Sequence, residues 1–272
     1  SETKVSRTER KDKQMQEIKK YLKEVDLKTA VVGIGSIVLI TLWAYQGHHS
    51  FFVLHFTAFK DHPNLNFLEF AWMNSAAFLL WFLIPISLIK FPLKDRLKDF
   101  CFGFGDWKFG GKFLLLGMVV MIVPLYFTGK NPEFMAEYPL SKLAGKSPGW
   151  FIFWELSYLS YYIGFEFLFR GFMLFGLKPR IGAWMAILFE TAISTLIHIG
   201  MTAHLSASAI VVGKPEMETI SAIVAGLVFG AVALRTRSII WPLLLHWFIG
   251  MGTDFFCPVS YTHLTLPTNR EV

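Results

Sequence analysis

The chain has 272 residues, of which 54% are hydrophobic, 17% aromatic and only 17% charged, and its mean hydropathy is +0.47. A soluble domain of this length carries more charge, which excludes the ordinary globular classes. The net charge of +6 lies in short basic stretches between apolar runs, a pattern that sets membrane orientation rather than nucleic-acid binding.

Residues 1–28 hold nine Lys/Arg against six Asp/Glu, too charged for a cleavable signal peptide. Met15, Ile18, Tyr21, Leu22 and Val25 recur at a weak helical period, which predicts a short cytoplasmic surface helix over 14–25. Apolar runs of spanning length then predict membrane helices at 29–45, 67–89, 113–127, 150–177, 183–201, 220–234 and 239–256. Between the first two lie His48, His49, His55 and His62, whose spacing matches no standard ligand pattern and reads as an interfacial loop. Glu69, near the end of the second span, reads as interfacial too. The N-terminus, the 90–112 loop and the turns at 178–180 and 235–237 are basic, whereas the intervening loops are neutral or mixed. This alternation predicts a multi-pass protein with a cytoplasmic N-terminus, in the plasma membrane. The expected fold is all-α, a polytopic transmembrane helical bundle of about seven spans. Residues 259–272 are polar and unpatterned and read as a non-native, adapter-derived tail, so the natural C-terminus is expected to be truncated. The expected organisation is a charged segment at 1–28, three spans over 29–149, a core over 150–258, and the tail. Cys101 and Cys257 lie far apart and indicate neither a disulfide framework nor a Cys-ligated metal.

Three of the expected spans carry ionisable groups at membrane depth, where such groups are costly and mark functional sites. The fourth has Glu155, Glu166 and Arg170. Glu166 and Arg170 are one turn apart, and Glu155 lies on the same face about 16 Å away. The fifth has Thr191, Ser194, Thr195 and His198 as one polar stripe, with Glu190 expected to face away and serve structure. The seventh has His246, Thr253 and Asp254. Singly these read as a packing ion pair, a hydrogen-bonded core histidine and helix-bonded hydroxyls. Together they need a shared polar cavity. Their chemistry suits water activation, with a carboxylate as general base and imidazoles as metal ligands or oxyanion donors. Glu166, His198 and His246 with one open position would also describe a catalytic zinc site, although HExxH is absent.

The same residues resemble the CAAX prenyl protease and bacteriocin-processing family of intramembrane proteases, the Ras-converting-enzyme-like group. The family's Glu-Glu-x-x-x-Arg motif aligns with Phe165-Glu166-Phe167-Leu168-Phe169-Arg170, its Phe-x-x-x-His with Ser194 to His198, and its His-x-x-x-Asn/Asp with His246 to Gly250. Gly171-Phe172-Met173-Leu174, Gly213-Lys214-Pro215, the run from Gly226 to Gly230 and Trp241-Pro242 are similar as well, so the likeness covers about 150–256. Three positions depart from it: Phe165, Ser194 and Gly250.

The resemblance implies an intramembrane endopeptidase acting on a membrane-associated peptide, prenylated or precursor, with no nucleic-acid partner. Its site would be Glu166 as base, His198 assisting, His246 on the oxyanion, and Arg170 orienting Glu166. Glu155 would be an alternative base on the same face, and Asp254 a support for His246 or a neighbouring helix. If metal is used, zinc would sit on Glu166, His198 and His246. The alternative is a catalytically inactive member serving as a membrane binding, scaffold or immunity protein. The missing first Glu of the pair favours that alternative.

Overall fold

The computed structural model describes residues 7–200, 204–206, 209–211 and 214–264. The charged N-terminal stretch forms α1 (Arg7–Glu24), which starts earlier than the amphipathic pattern suggested. Asp26 then accepts a hydrogen bond from the Thr29 amide and caps α2 (Leu27–Leu42), which runs on through a π-helical turn, Trp43–Gly47. Part of the histidine-rich stretch is helical, while His62 lies in the turn that follows. His48 caps α3 (His49–His55), and Nδ1 of His49 lies 3.6 Å from a Glu69 carboxyl oxygen.

The second predicted span is one continuous helix, Leu65–Lys90, built of α4 (Leu65–Phe78), a π-helical turn and α5 (Ile84–Lys90). Asp106 caps α6 (Trp107–Thr128), so the third span begins before residue 113. A short α7 (Pro132–Glu137) follows, capped by Asn131. Ser147 and Pro148 start α8 (Pro148–Glu166), a serine cap with proline at the first helical position. This helix passes through a π-helical segment, Phe167–Met173, into α9 (Leu174–Ile181). Gly182, with φ of 82°, makes the turn into α10 (Ala183–Gly200). A two-stranded antiparallel hairpin, His204–Ser206 with Ala209–Val211, precedes α11 (Glu216–Thr236) and α12 (Ile240–Leu264). Thus α12 extends into the segment read as a non-native tail, and residues 265–272 fall outside the described ones, as does Gly213.

Among the described residues five helices are long and apolar enough to cross a membrane: Leu27–Gly47, Leu65–Lys90, Trp107–Thr128, Glu216–Thr236 and Ile240–Cys257. The other two predicted spans are helical but outside this set. The α8–α9 helix carries Glu155, Glu166, Arg170, Lys178 and Arg180, and the apolar run of α10, Ala183–His198, is shorter.

The bundle is arranged around α8 and the π-helical segment after it. Phe165, Phe167, Phe169, Phe172, Trp81 and Trp154 are essentially inaccessible and form its interior. In a membrane such packing acts through close contact rather than water exclusion. At one end of the molecule Lys28 pairs with Asp95 at 2.8 Å and Arg235 with Asp106 at 2.9 Å, while the Ile239 amide donates to Cys101 O. At the other end Asn66 bonds Leu140 O and the Lys142 amide, and the Tyr138 hydroxyl donates to Glu218.

Candidate active site

Glu166 closes α8, and the π-helical segment begins with the next residue. Such wide turns re-aim side chains and occur often at functional sites. Here the turn holds Arg170 between two helices. Its Nη1 donates to Glu166 Oε1 at 3.4 Å, and its Nε lies 3.5 Å from Glu190 Oε2 on α10. The guanidinium also lies over the rings of Phe165 and Phe229, at 5.3 and 5.8 Å. From α12, His246 brings Nδ1 to 2.6 Å from Glu166 Oε1. Because a carboxylate only accepts, His246 Nδ1 carries the proton of this bond, and Nε2 is left as the ring's acceptor.

His198 resolves in the same way. Its Nδ1 donates to the Ser194 carbonyl at 2.9 Å, one turn back on α10, again leaving Nε2 as the acceptor. Both imidazoles line one cavity of about 970 Å³, together with Tyr162, Phe165 and Arg170. The Phe165 ring packs edge-on against both, 5.3 Å from His246 and 6.2 Å from His198. Glu166 is not on the cavity wall; it is fully buried behind His246. The cavity runs on past α6 and α11 to His48 and His49 at its far side.

Of the predicted residues, Glu166, Arg170 and His246 therefore form one contact group, and His198 joins them across the cavity. Glu155 and Asp254 belong to a second, separate group. Trp154 Nε1 donates to Asp254 Oδ2 at 2.5 Å, and Trp247 Nε1 donates to Glu155 Oε2 at 3.2 Å. These crossed bonds tie α8 to α12, and neither carboxyl lies on the cavity wall. Glu155 is thus not positioned to act as the alternative base, and Asp254 supports a helix contact rather than His246.

Two further residues belong to the site. Glu190 was expected to face away, yet it is fully buried against Arg170. Tyr162, which the sequence did not single out, lies against His246 with ring centroids 4.7 Å apart. A signal existed for the latter: Glu155, Tyr158, Tyr162 and Glu166 share one helical stripe.

Among the described residues no three His, Cys, Asp or Glu side chains are gathered where one ion would hold them. The Nδ1 atoms of both imidazoles are already engaged, and Glu166 gives Oε1 to His246 and Arg170, so the Nε2 atoms of the two imidazoles are the donors left for a metal, with Glu166 as a partner of His246.

Residues 147–251 match the family model described as Type II CAAX prenyl endopeptidase Rce1-like. No curated protein and no solved structure matches the chain. The matched segment, which is similar to that family, spans α8 to the middle of α12 and includes Glu166, Arg170, His198, His246 and Gly250 but ends before Asp254. Five apolar helices of spanning length and this likeness to a membrane endopeptidase family both point to an integral membrane protein.

Proposed function

We propose that the protein is a membrane-embedded endopeptidase in which Glu166 acts through His246 rather than directly on water. The observation that carries this reading is the 2.6 Å contact between Glu166 and His246, made where His246 and His198 line the same cavity. The family pattern has a second carboxylate at position 165, where this chain has phenylalanine. With Glu166 shielded, the group able to reach water is His246 Nε2.

The proposed order of events follows from the acceptors. A water molecule donates one hydrogen bond to His246 Nε2 and one to His198 Nε2, and so is held with its lone pair toward the peptide carbonyl. His246 removes its proton as the oxygen attacks, and later passes that proton to the leaving amine. Glu166 keeps the imidazole in the tautomer and orientation this requires. Two buried carboxylates, Glu166 and Glu190, stand against one guanidinium, Arg170. A proton arriving on His246 balances the charge of this group at the moment of reaction. The cavity is large and mostly apolar-walled, which suits a peptide segment with an apolar side chain or lipid, such as a prenylated or precursor peptide at the membrane. No step is assigned to a metal.

The test is cleavage of a reporter peptide library by purified full-length protein in liposomes, alongside Glu166→Gln, His198→Ala and His246→Ala. Loss of the base or its orienting carboxylate is expected to lower kcat by about 10²–10⁴-fold. Activity is expected to survive EDTA. Unchanged cleavage in all three variants would sink the mechanism. Peptide binding without cleavage by the wild type would favour the non-catalytic binding role.

A further inference from the structure

Attack of water on a peptide carbonyl builds negative charge on its oxygen, and that charge needs a hydrogen-bond donor already in place. The two imidazoles cannot be that donor, since each has spent its one N–H. His246 donates to Glu166 and His198 to Ser194 O. Arg170 is stretched between Glu166 and Glu190.

Tyr162 stands next to this gap. It lies on α8 one turn before Glu166, is 4% exposed, and lines the cavity together with both histidines. Its ring packs edge-on against His246. Its hydroxyl lies directly over Gly250, one turn beyond His246 on α12; a Cβ built there would overlap the Tyr162 oxygen. The sequence resemblance expects an Asn or Asp at 250, and in this chain the tyrosine hydroxyl fills the space that such a side chain would enter. The ring of Tyr158, one turn earlier, packs 4.6 Å from that of Tyr162.

We propose that Tyr162 is a catalytic residue whose hydroxyl donates to the oxyanion of the tetrahedral intermediate. This rests on the peptidase reading above. The water oxygen bonds to the carbonyl carbon, the C=O pair moves onto oxygen, and the water's proton goes to His246 Nε2. On collapse the C=O bond re-forms, the C–N bond breaks, and the proton on His246 goes to the amine. Tyr162 keeps its own proton throughout and only stabilises the charge. Gly250 is then required because any side chain would push the hydroxyl away from the carbonyl.

The experiment uses the full-length protein in liposomes with Tyr162→Phe and Gly250→Ala, the first removing the hydroxyl and the second displacing it. Each is expected to lower kcat about 10²–10³-fold while leaving KM little changed. A second readout does not depend on turnover. A peptide phosphonate, which mimics the tetrahedral anion, should bind the wild type more tightly than the matching peptide amide, and Tyr162→Phe should abolish most of that preference. Circular dichroism melting of each variant identifies any that has lost its fold, and the phosphonate-to-amide ratio of the folded ones decides. Full kcat in Tyr162→Phe, with His246→Ala inactive, would overturn the tyrosine's role and leave the peptidase reading standing. A wild type that neither cleaves nor prefers the phosphonate would overturn both.

Discussion

Arg170 shows how a single residue can be half legible. Its spacing from Glu166 announces a helical ion pair, and that pair forms. Its second partner could not be read from spacing, because Glu190 reaches it across the bundle from α10. Glu190 lies eight residues before His198, only about 80° round the helix, so it never faced fully away. The consequence is that Arg170 offsets two buried carboxylates rather than one. Arg170→Met should therefore cost about 3–5 kcal/mol by leaving carboxylates uncompensated. Adding Glu190→Gln to that variant should recover part of the loss, because it removes one of the two. Urea unfolding in detergent micelles, followed by circular dichroism, measures both. A double variant no more stable than Arg170→Met alone would mean that Glu190 is not part of the charge group.

Between elements, the contacts that set the site are close approaches that only small or polar residues permit. Gly230 on α11 is such a point: a Cβ there would stand 2.8 Å from Glu190 Oε1 and 3.2 Å from Ile187. Gly226, one turn earlier, faces Thr191 in the same seam. The similarity of this run to the family was visible in the sequence, but its purpose, admitting the Glu190 carboxyl between α10 and α11, was not. Gly230→Ala should cost about 1–3 kcal/mol by overpacking and should weaken the Arg170–Glu190 contact. Its stability loss should shrink when combined with Glu190→Ala, a coupling that a double-mutant cycle reads directly. Additive losses would refute the shared seam. The seam between α8 and α12 works differently, through the paired indole bonds to Glu155 and Asp254. Sequence reasoning gave both carboxyls to the catalytic region because they share a helix face with Glu166 or a helix with His246. Their tryptophan partners, hidden in an aromatic-rich composition, turn them into a clamp. The π-helical turn at Phe167–Met173 was equally invisible, since no residue type in it announces a change of period.

At the scale of the whole molecule, hydropathy and charge were enough to give an all-helical membrane bundle and most of its helix positions. The boundaries differ where capping residues extend an element past its apolar run, as Asp106 does for α6. The basic stretches also come together in space. Lys28 reaches Asp95, Arg235 reaches Asp106, and Ile239 bonds Cys101, so the N-terminus, the 90–106 loop and the 235–237 turn share one end. The 138–142 segment is bonded to Asn66 and Glu218 at the other. The charge rule predicts that the basic end faces the cytoplasm. The native thiols provide a quiet background for testing this: Cys101 is buried, with its pKa pushed up to about 12, and Cys257 is buried too. Lys94 and Lys146 are both exposed, one toward each end. A membrane-impermeant maleimide is expected to label Lys146→Cys in intact cells and Lys94→Cys only after lysis. The reverse pattern would invert the orientation. Labelling of both from outside would break the two-ended arrangement itself, and with it the placement of the cavity between the two faces of the bilayer.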